Sequence, residues 1–127
     1  MTDKRKLGLE RLSDILGKNA ESALEKFENI SPDFAKYIVE FVYGDVYARK
    51  GLSDKDREIA LVSNMMGQGQ LGFPFKTHVK GMLNVGWTKQ EILELIIFLS
   101  FASGFPTAVE AIFLAQEVFE EVVSEIP

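Results

Sequence analysis

The stretch Thr88 to Pro106, "TKQEILELIIFLSFASGFP", places the tightest limit on what this chain can fold into. Thr88 and Glu91 have the spacing of a capping box, in which each side chain binds the other's backbone amide at a helix start. Gly104 and Pro106 then break that helix and start the next. Between these signals, Ile92 to Ala102 is apolar nearly all the way round a helix. The most apolar part, "ILELIIFLSFASGF", is 14 residues long and contains Glu94. A membrane span needs roughly 20 apolar residues. The segment is read as a buried helix, and the chain as having no membrane partner. In so short a chain such a helix is hard to cover, and the last helix also has a wide apolar face. The surplus implies a homo-oligomer.

The helical period continues through the rest of the chain, with no convincing alternating strand. Leu7, Leu12, Ile15 and Leu16 mark a first helix stopping at Gly17, and Ala20, Ala23, Leu24 and Phe27 a short second one. "SPDF" at Ser31 to Phe34 supplies a cap, a first-turn proline and an acid at the positive helix end. That helix is expected to run through Phe34, Ile38, Phe41 and Val42 towards "YGDVYARKG". Ser53 caps the next helix, which reaches about Gly67, and "GQGQLGFP" is a Gly-rich connection. The last helix has Ala108, Ile112, Ala115, Val118, Phe119 and Val122 at helical spacing. The expected fold is an all-α, single-domain bundle of about six helices over residues 1–127.

Composition excludes several chemistries. The chain has no cysteine, which rules out disulfides, thiolate metal sites and thiol redox catalysis. One histidine and no thiolate leave no zinc-type ligand set, so no metal is expected. The balance of 14 Lys and Arg against 19 Asp and Glu gives a net charge of −5, against a nucleic-acid surface. "GQGQLG" lacks the Lys and Ser/Thr of a phosphate loop. "MTDKRKLGLERLSD" is too charged for a secretion leader, and a cytoplasmic location is expected.

The one histidine, His78, lies in "FPFKTHVKGMLNVG", a helix begun by Pro74 and stopped by Gly86. Phe75, Val79, Met82 and Leu83 form its inward stripe, and His78 falls between Phe75 and Val85 around the wheel. An inward histidine needs a partner. Glu58, on the preceding helix, lies between Val62 and Met65 around its own wheel, so this carboxylate also sits on a partly apolar face. Facing helices bring such residues together, and a Glu–His pair fixes the imidazole tautomer and passes a proton. The alternative leaves His78 a hydrogen-bonded core residue, with Glu58 serving the helix start or pairing with Lys55. Arg49 and Arg57, flanking "KGLSDKD", suit bidentate contact with an anionic substrate, or pairing with Asp45, Asp54 or Glu58. Tyr43, Tyr47 and Trp87 line a pocket or pack, and Met65 and Met66 read as core.

"YGDVYARKGLSDKDREIALV", "KTHVKGMLNVGWTKQEILELI" and "SGFPTAVEAI", in that order, resemble the carboxymuconolactone decarboxylase family over roughly residues 20 to 124. The resemblance implies an alkyl hydroperoxidase D-like helical fold, trimers or hexamers, and cofactor-independent decarboxylation of a small carboxylated lactone or related organic acid. It sets His78 on the family histidine and Glu58 on the glutamate of the hydroperoxidase branch's proton relay. With these two taken as catalytic, Arg49, Arg57, Tyr47, Trp87 and Phe105 (in the "GFP" turn) are expected around the substrate. The hydroperoxidase branch has a cysteine pair where this chain has about Leu71 and Pro74, so its antioxidant chemistry is disfavoured. The decarboxylase branch commonly has acids shortly before the histidine, where Phe73 and Pro74 stand here. A non-catalytic small-molecule binding module is the remaining reading.

Overall fold

Helix boundaries follow the start and stop residues of the sequence. In the computed structural model, which describes residues 3–124, α1 spans Lys4–Leu16, α2 Ala20–Ile30, α3 Pro32–Tyr37 and α4 Asp54–Gly67. Then come α5 at Phe73–Asn84, α6 at Lys89–Ser103 and α7 at Phe105–Ser124. The fold is all-α, with no strand among the described residues. None of these helices is long and apolar enough to cross a membrane. At α3, Ser31 Oγ accepts from the Phe34 amide and Pro32 sits in the first turn. At α6 the capping box is closed both ways: Glu91 N–H donates to Thr88 Oγ1 at 3.1 Å, and Thr88 N–H to Glu91 Oε1 at 3.0 Å. The Thr88 backbone N–H, followed by its side chain, holds the Glu91 carboxyl below its ordinary value.

The chain divides into two compact units, Met1–Asp54 and Lys55–Pro127. In the first, α3 does not continue as an α-helix. Residues Ile38–Val46 widen into a π-helix, and the Tyr47 amide reaches the Val42 carbonyl, five residues back, at 2.8 Å. Four residues overshoot a turn of α-helix but fall short of a π turn, so this mixture lines up residues spaced by four. Ala35, Val39, Tyr43 and Tyr47 are the buried set. Phe34 and Phe41, set at helical spacing in the sequence, are 54% and 60% exposed. The change of period from Ile38 onward accounts for Phe41.

α1 packs on this π-helix with its backbone. A Cβ built on Gly8 would lie 2.0 Å from the Val39 carbonyl oxygen, and one on Gly44 would lie 2.8 Å from the Lys4 carbonyl oxygen. Arg11 completes the unit's interior: Nε donates to the Tyr47 carbonyl at 3.1 Å, Nη1 to Asp14 at 2.8 Å, and Nη2 to Asp54. Burial opposes the guanidinium charge, yet the bonds to Asp54 and Asp14 outweigh it and raise its pKa.

The second unit is built on side chains. Val62, Met65 and Met66 of α4 meet Phe75, Val79 and Met82 of α5, and Ile92 and Ile96 of α6. Ala108, Ala111 and Ala115 give α7 a low seam in this cluster. Met65 and Met66 are core, as expected. Only Ile92 and Ile96 of α6 are buried, while Ile97, Phe98 and Phe101 are exposed, as are Phe105 and Phe113 of α7. The chain on its own leaves the outer side of α6 uncovered.

Candidate active site

The second unit buries one charged side chain among the described residues, Glu58, with no exposed surface. Its Oε1 lies 2.6 Å from His78 Nδ1, a distance in the short range of charge-assisted bonds. Glu58 comes from the second turn of α4 and His78 from the middle of α5. Phe75, Val79 and Met82, all fully buried, orient α5 as the sequence stripe predicts. Its His78 side chain is 14% exposed, and Glu58 is its one hydrogen-bond partner among the described residues. Nδ1 is thus committed to the carboxylate, which leaves Nε2 as the nitrogen able to meet a ligand.

On the polar side of α5, Lys76 Nζ lies 2.9 Å from Glu121 and 3.4 Å from Glu117, and Lys80 Nζ lies 2.7 Å from Glu121. These pairs tie α5 to α7. Hydrogen bonding to Lys80, then to Lys76, lowers the Glu121 pKa, and the bond to Glu121 raises that of Lys76.

Trp87 donates its indole N–H to the Lys55 carbonyl at 2.8 Å, and the Lys55 ammonium lies 4.4 Å from the ring centroid. Arg57 is half-buried beside Glu58 in sequence, and Phe105 is exposed at the start of α7. Phe73 and Pro74 are exposed at the start of α5. Arg49 and Tyr47 belong to the first unit. There Arg49 is exposed, while Tyr47 is buried and stacked on Tyr43 with centroids 4.5 Å apart. Of the expected site residues, the geometry joins Glu58 and His78 directly. No cluster among the described residues could hold a metal ion. A groove of about 580 Å³ between α1 and α2 is lined by Leu9, Leu12, Lys18, Glu21 and Leu24, and by none of the expected site residues.

The family model of the carboxymuconolactone decarboxylases matches residues 32–117. The chain belongs to the carboxymuconolactone decarboxylase family. It is 31% identical over 118 residues to 4-carboxymuconolactone decarboxylase of Acinetobacter baylyi, covering 92% of this chain and 87% of that one. It is 27% identical over 119 residues to nitrosuccinic acid decarboxylase npaB of Metarhizium robertsii, covering 93% and 82%. An uncharacterized 15.0 kDa protein of Paracoccus denitrificans is 32% identical over 105 residues, 78% of each chain. Two of these three relatives are named as decarboxylases of different acids, so membership of the carboxymuconolactone decarboxylase family points to carbon dioxide release more firmly than to one substrate.

The sequence reading took Trp87 as a pocket or packing residue and did not foresee its bond to Lys55. A backbone carbonyl as acceptor leaves no mark on residue type. The Lys76 and Lys80 pairs had a signal, since Glu117 and Glu121 share their spacing of four.

Proposed function

We propose that this protein is a cofactor-independent carboxy-lyase acting on a small carboxylated lactone or related organic acid. The single observation that carries the reading is the 2.6 Å bond from buried Glu58 to His78 Nδ1. Decarboxylation breaks a carbon–carbon bond and leaves its electron pair on the substrate, where conjugation with a neighbouring carbonyl must hold it until a proton arrives. His78 supplies that proton from Nε2. The Glu58 carboxylate balances the imidazolium charge, and after transfer it keeps the neutral ring as the Nδ1–H tautomer. The exposed edge of the ring takes the next proton from solvent. Arg57 steers the substrate carboxylate, with Trp87 and Phe105 as further substrate contacts. The names of two relatives, decarboxylases of 4-carboxymuconolactone and of nitrosuccinic acid, support a substrate bearing more than one acidic group.

Carbon dioxide release across a panel of carboxylated lactones and dicarboxylic acids tests this. Turnover by the natural chain, lost in His78→Gln with the fold kept and stability lowered by only about 1 kcal/mol, is the expected outcome. Binding without turnover would favour the non-catalytic module, and a large loss of stability with unchanged binding would make His78 structural.

The working form we propose is a cytoplasmic trimer or hexamer. The exposed Ile97, Phe98, Phe101, Phe105 and Phe113 support self-association. Light scattering is expected to give a trimer or hexamer, and a monodisperse 14.3 kDa monomer at micromolar concentration would refute this.

A further inference from the structure

Trp87 is the chain's one tryptophan, and it is bonded in two directions. Its backbone N–H donates to the Met82 carbonyl at 2.9 Å, in the last turn of α5. Its indole N–H donates to the Lys55 carbonyl at 2.8 Å, in the first turn of α4. Lys55 stands about one helical turn before Glu58, and Met82 about one turn after His78. The links close a circuit: Lys55 to Glu58 along α4, Glu58 to His78 across 2.6 Å, His78 to Met82 along α5, and Met82 back to Lys55 through Trp87.

We propose that Trp87 is a positioning residue for the Glu58–His78 pair, bracing the first turn of α4 against the end of α5 so that Oε1 stays on Nδ1. The proposal rests on the proton-handling reading of that pair. The C-terminal half of α4 is anchored by Val62, Met65 and Met66 in the apolar cluster. Such contacts are non-directional and tolerate small slides of a helix. A carboxylate–imidazole bond does not, because it weakens steeply with distance and angle. The indole N–H supplies a directional restraint at the end of α4 that carries Glu58. Gly86, at φ +114°, makes the turn that delivers Trp87 from α5, a conformation side chains rarely adopt. The Lys55 ammonium over the indole adds a second hold on the same residue.

The composition makes the test clean, since tryptophan analogues alter position 87 alone and labelled histidine reports on His78 alone. Benzothienylalanine keeps the shape of the indole but replaces its N–H with sulfur. Nitrogen-labelled histidine gives the tautomer ratio and the solvent exchange rate of the Nδ1 proton. The natural chain is expected to show a downfield, slowly exchanging Nδ1 proton. The benzothienyl form should exchange about fivefold faster, the worth of one neutral hydrogen bond, and gain Nε2–H tautomer with its fold intact. Trp87→Phe should move the same way, and 5-fluorotryptophan, which keeps the donor, should behave as the natural residue. If the natural chain shows the bonded proton and both donor-free forms keep it unchanged, the brace is wrong and the site reading stands. If the natural chain lacks that proton, both fall. Unfolding of both donor-free forms would also overturn the proposal, by showing that the bond holds the unit rather than the pair.

Discussion

In the Met1–Asp54 unit a single methyl group on Gly8 would lie 2.0 Å from a backbone oxygen, whereas in the Lys55–Pro127 unit the helices meet through Ile92 and Ile96 against Ala108, Ala111 and Ala115. The two also bury charge differently. Arg11 carries a fixed charge, and all three of its hydrogen-bonding nitrogens are occupied by Asp14, Asp54 and the Tyr47 carbonyl. Glu58 and His78 share one bond in which the proton has two possible owners. A guanidinium surrounded by acceptors is scaffold, because nothing about it changes near neutral pH. A buried carboxylate on a histidine can hand a proton across, and this is why the proposed chemistry is placed in the second unit.

The largest effect that could break this comparison is at Gly8. Gly8→Ala should destabilise by about 3 kcal/mol or more, since its neighbour is a π-helix carbonyl rather than a yielding side chain. Chemical denaturation measures it. A loss below about 1 kcal/mol would mean that α1 can slide, and that backbone fit is not what holds the first unit.

Glu58 sharpens the contrast from the other side. Glu58→Ala should cost about 2 kcal/mol by orphaning the buried end of the imidazole, while Glu58→Gln should cost about 1 kcal/mol, because its amide oxygen still accepts from Nδ1–H. Both should lose turnover. Equal stability losses with full activity would make the carboxylate an ordinary core group.

Much of the second unit was legible in the sequence. The 3.6-residue stripe of Phe75, Val79 and Met82 sets the rotation of α5, and so points His78 inward; the apolar face of α4 is interrupted by Glu58. Both deductions use only the regular α period. The first unit was harder to read because its period changes in mid-helix. Ile38–Val46 is rich in apolar residues on every side, and nothing in their types distinguishes a π turn from an α turn. Gly8 and Gly44 stand 36 positions apart, so their common crossing with Val39 and Lys4 exists only once the backbones are placed. Trp87 and Lys55 were hidden similarly, by an acceptor that every residue possesses.

The smallest effect tests how the second unit holds α5 from its polar side. Glu121 receives Lys76 at 2.9 Å and Lys80 at 2.7 Å, yet its side chain remains 40% exposed, so solvent screens both pairs. Glu121→Gln should therefore cost only about 0.5 kcal/mol at neutral pH. The pH dependence is more telling than the magnitude. Glu121 titrates below its ordinary 4.5 in the folded chain, so its contribution is present above that value and fades as pH falls through the folded one. Lys76 titrates above 10.5, so its contribution is present below that value and fades as pH rises through the folded one. The stability gap between the natural chain and Glu121→Gln should be level between these limits and close at both ends. Arg11 has acid partners too, but its guanidinium pKa is raised by them, so the gap for Arg11→Gln should stay open in alkali. Melting temperatures of the three chains from pH 3 to pH 11 decide the matter. If the Glu121→Gln gap persisted in alkali as the Arg11→Gln gap does, the lysines would not be its source, and α5 would be held by its apolar stripe alone.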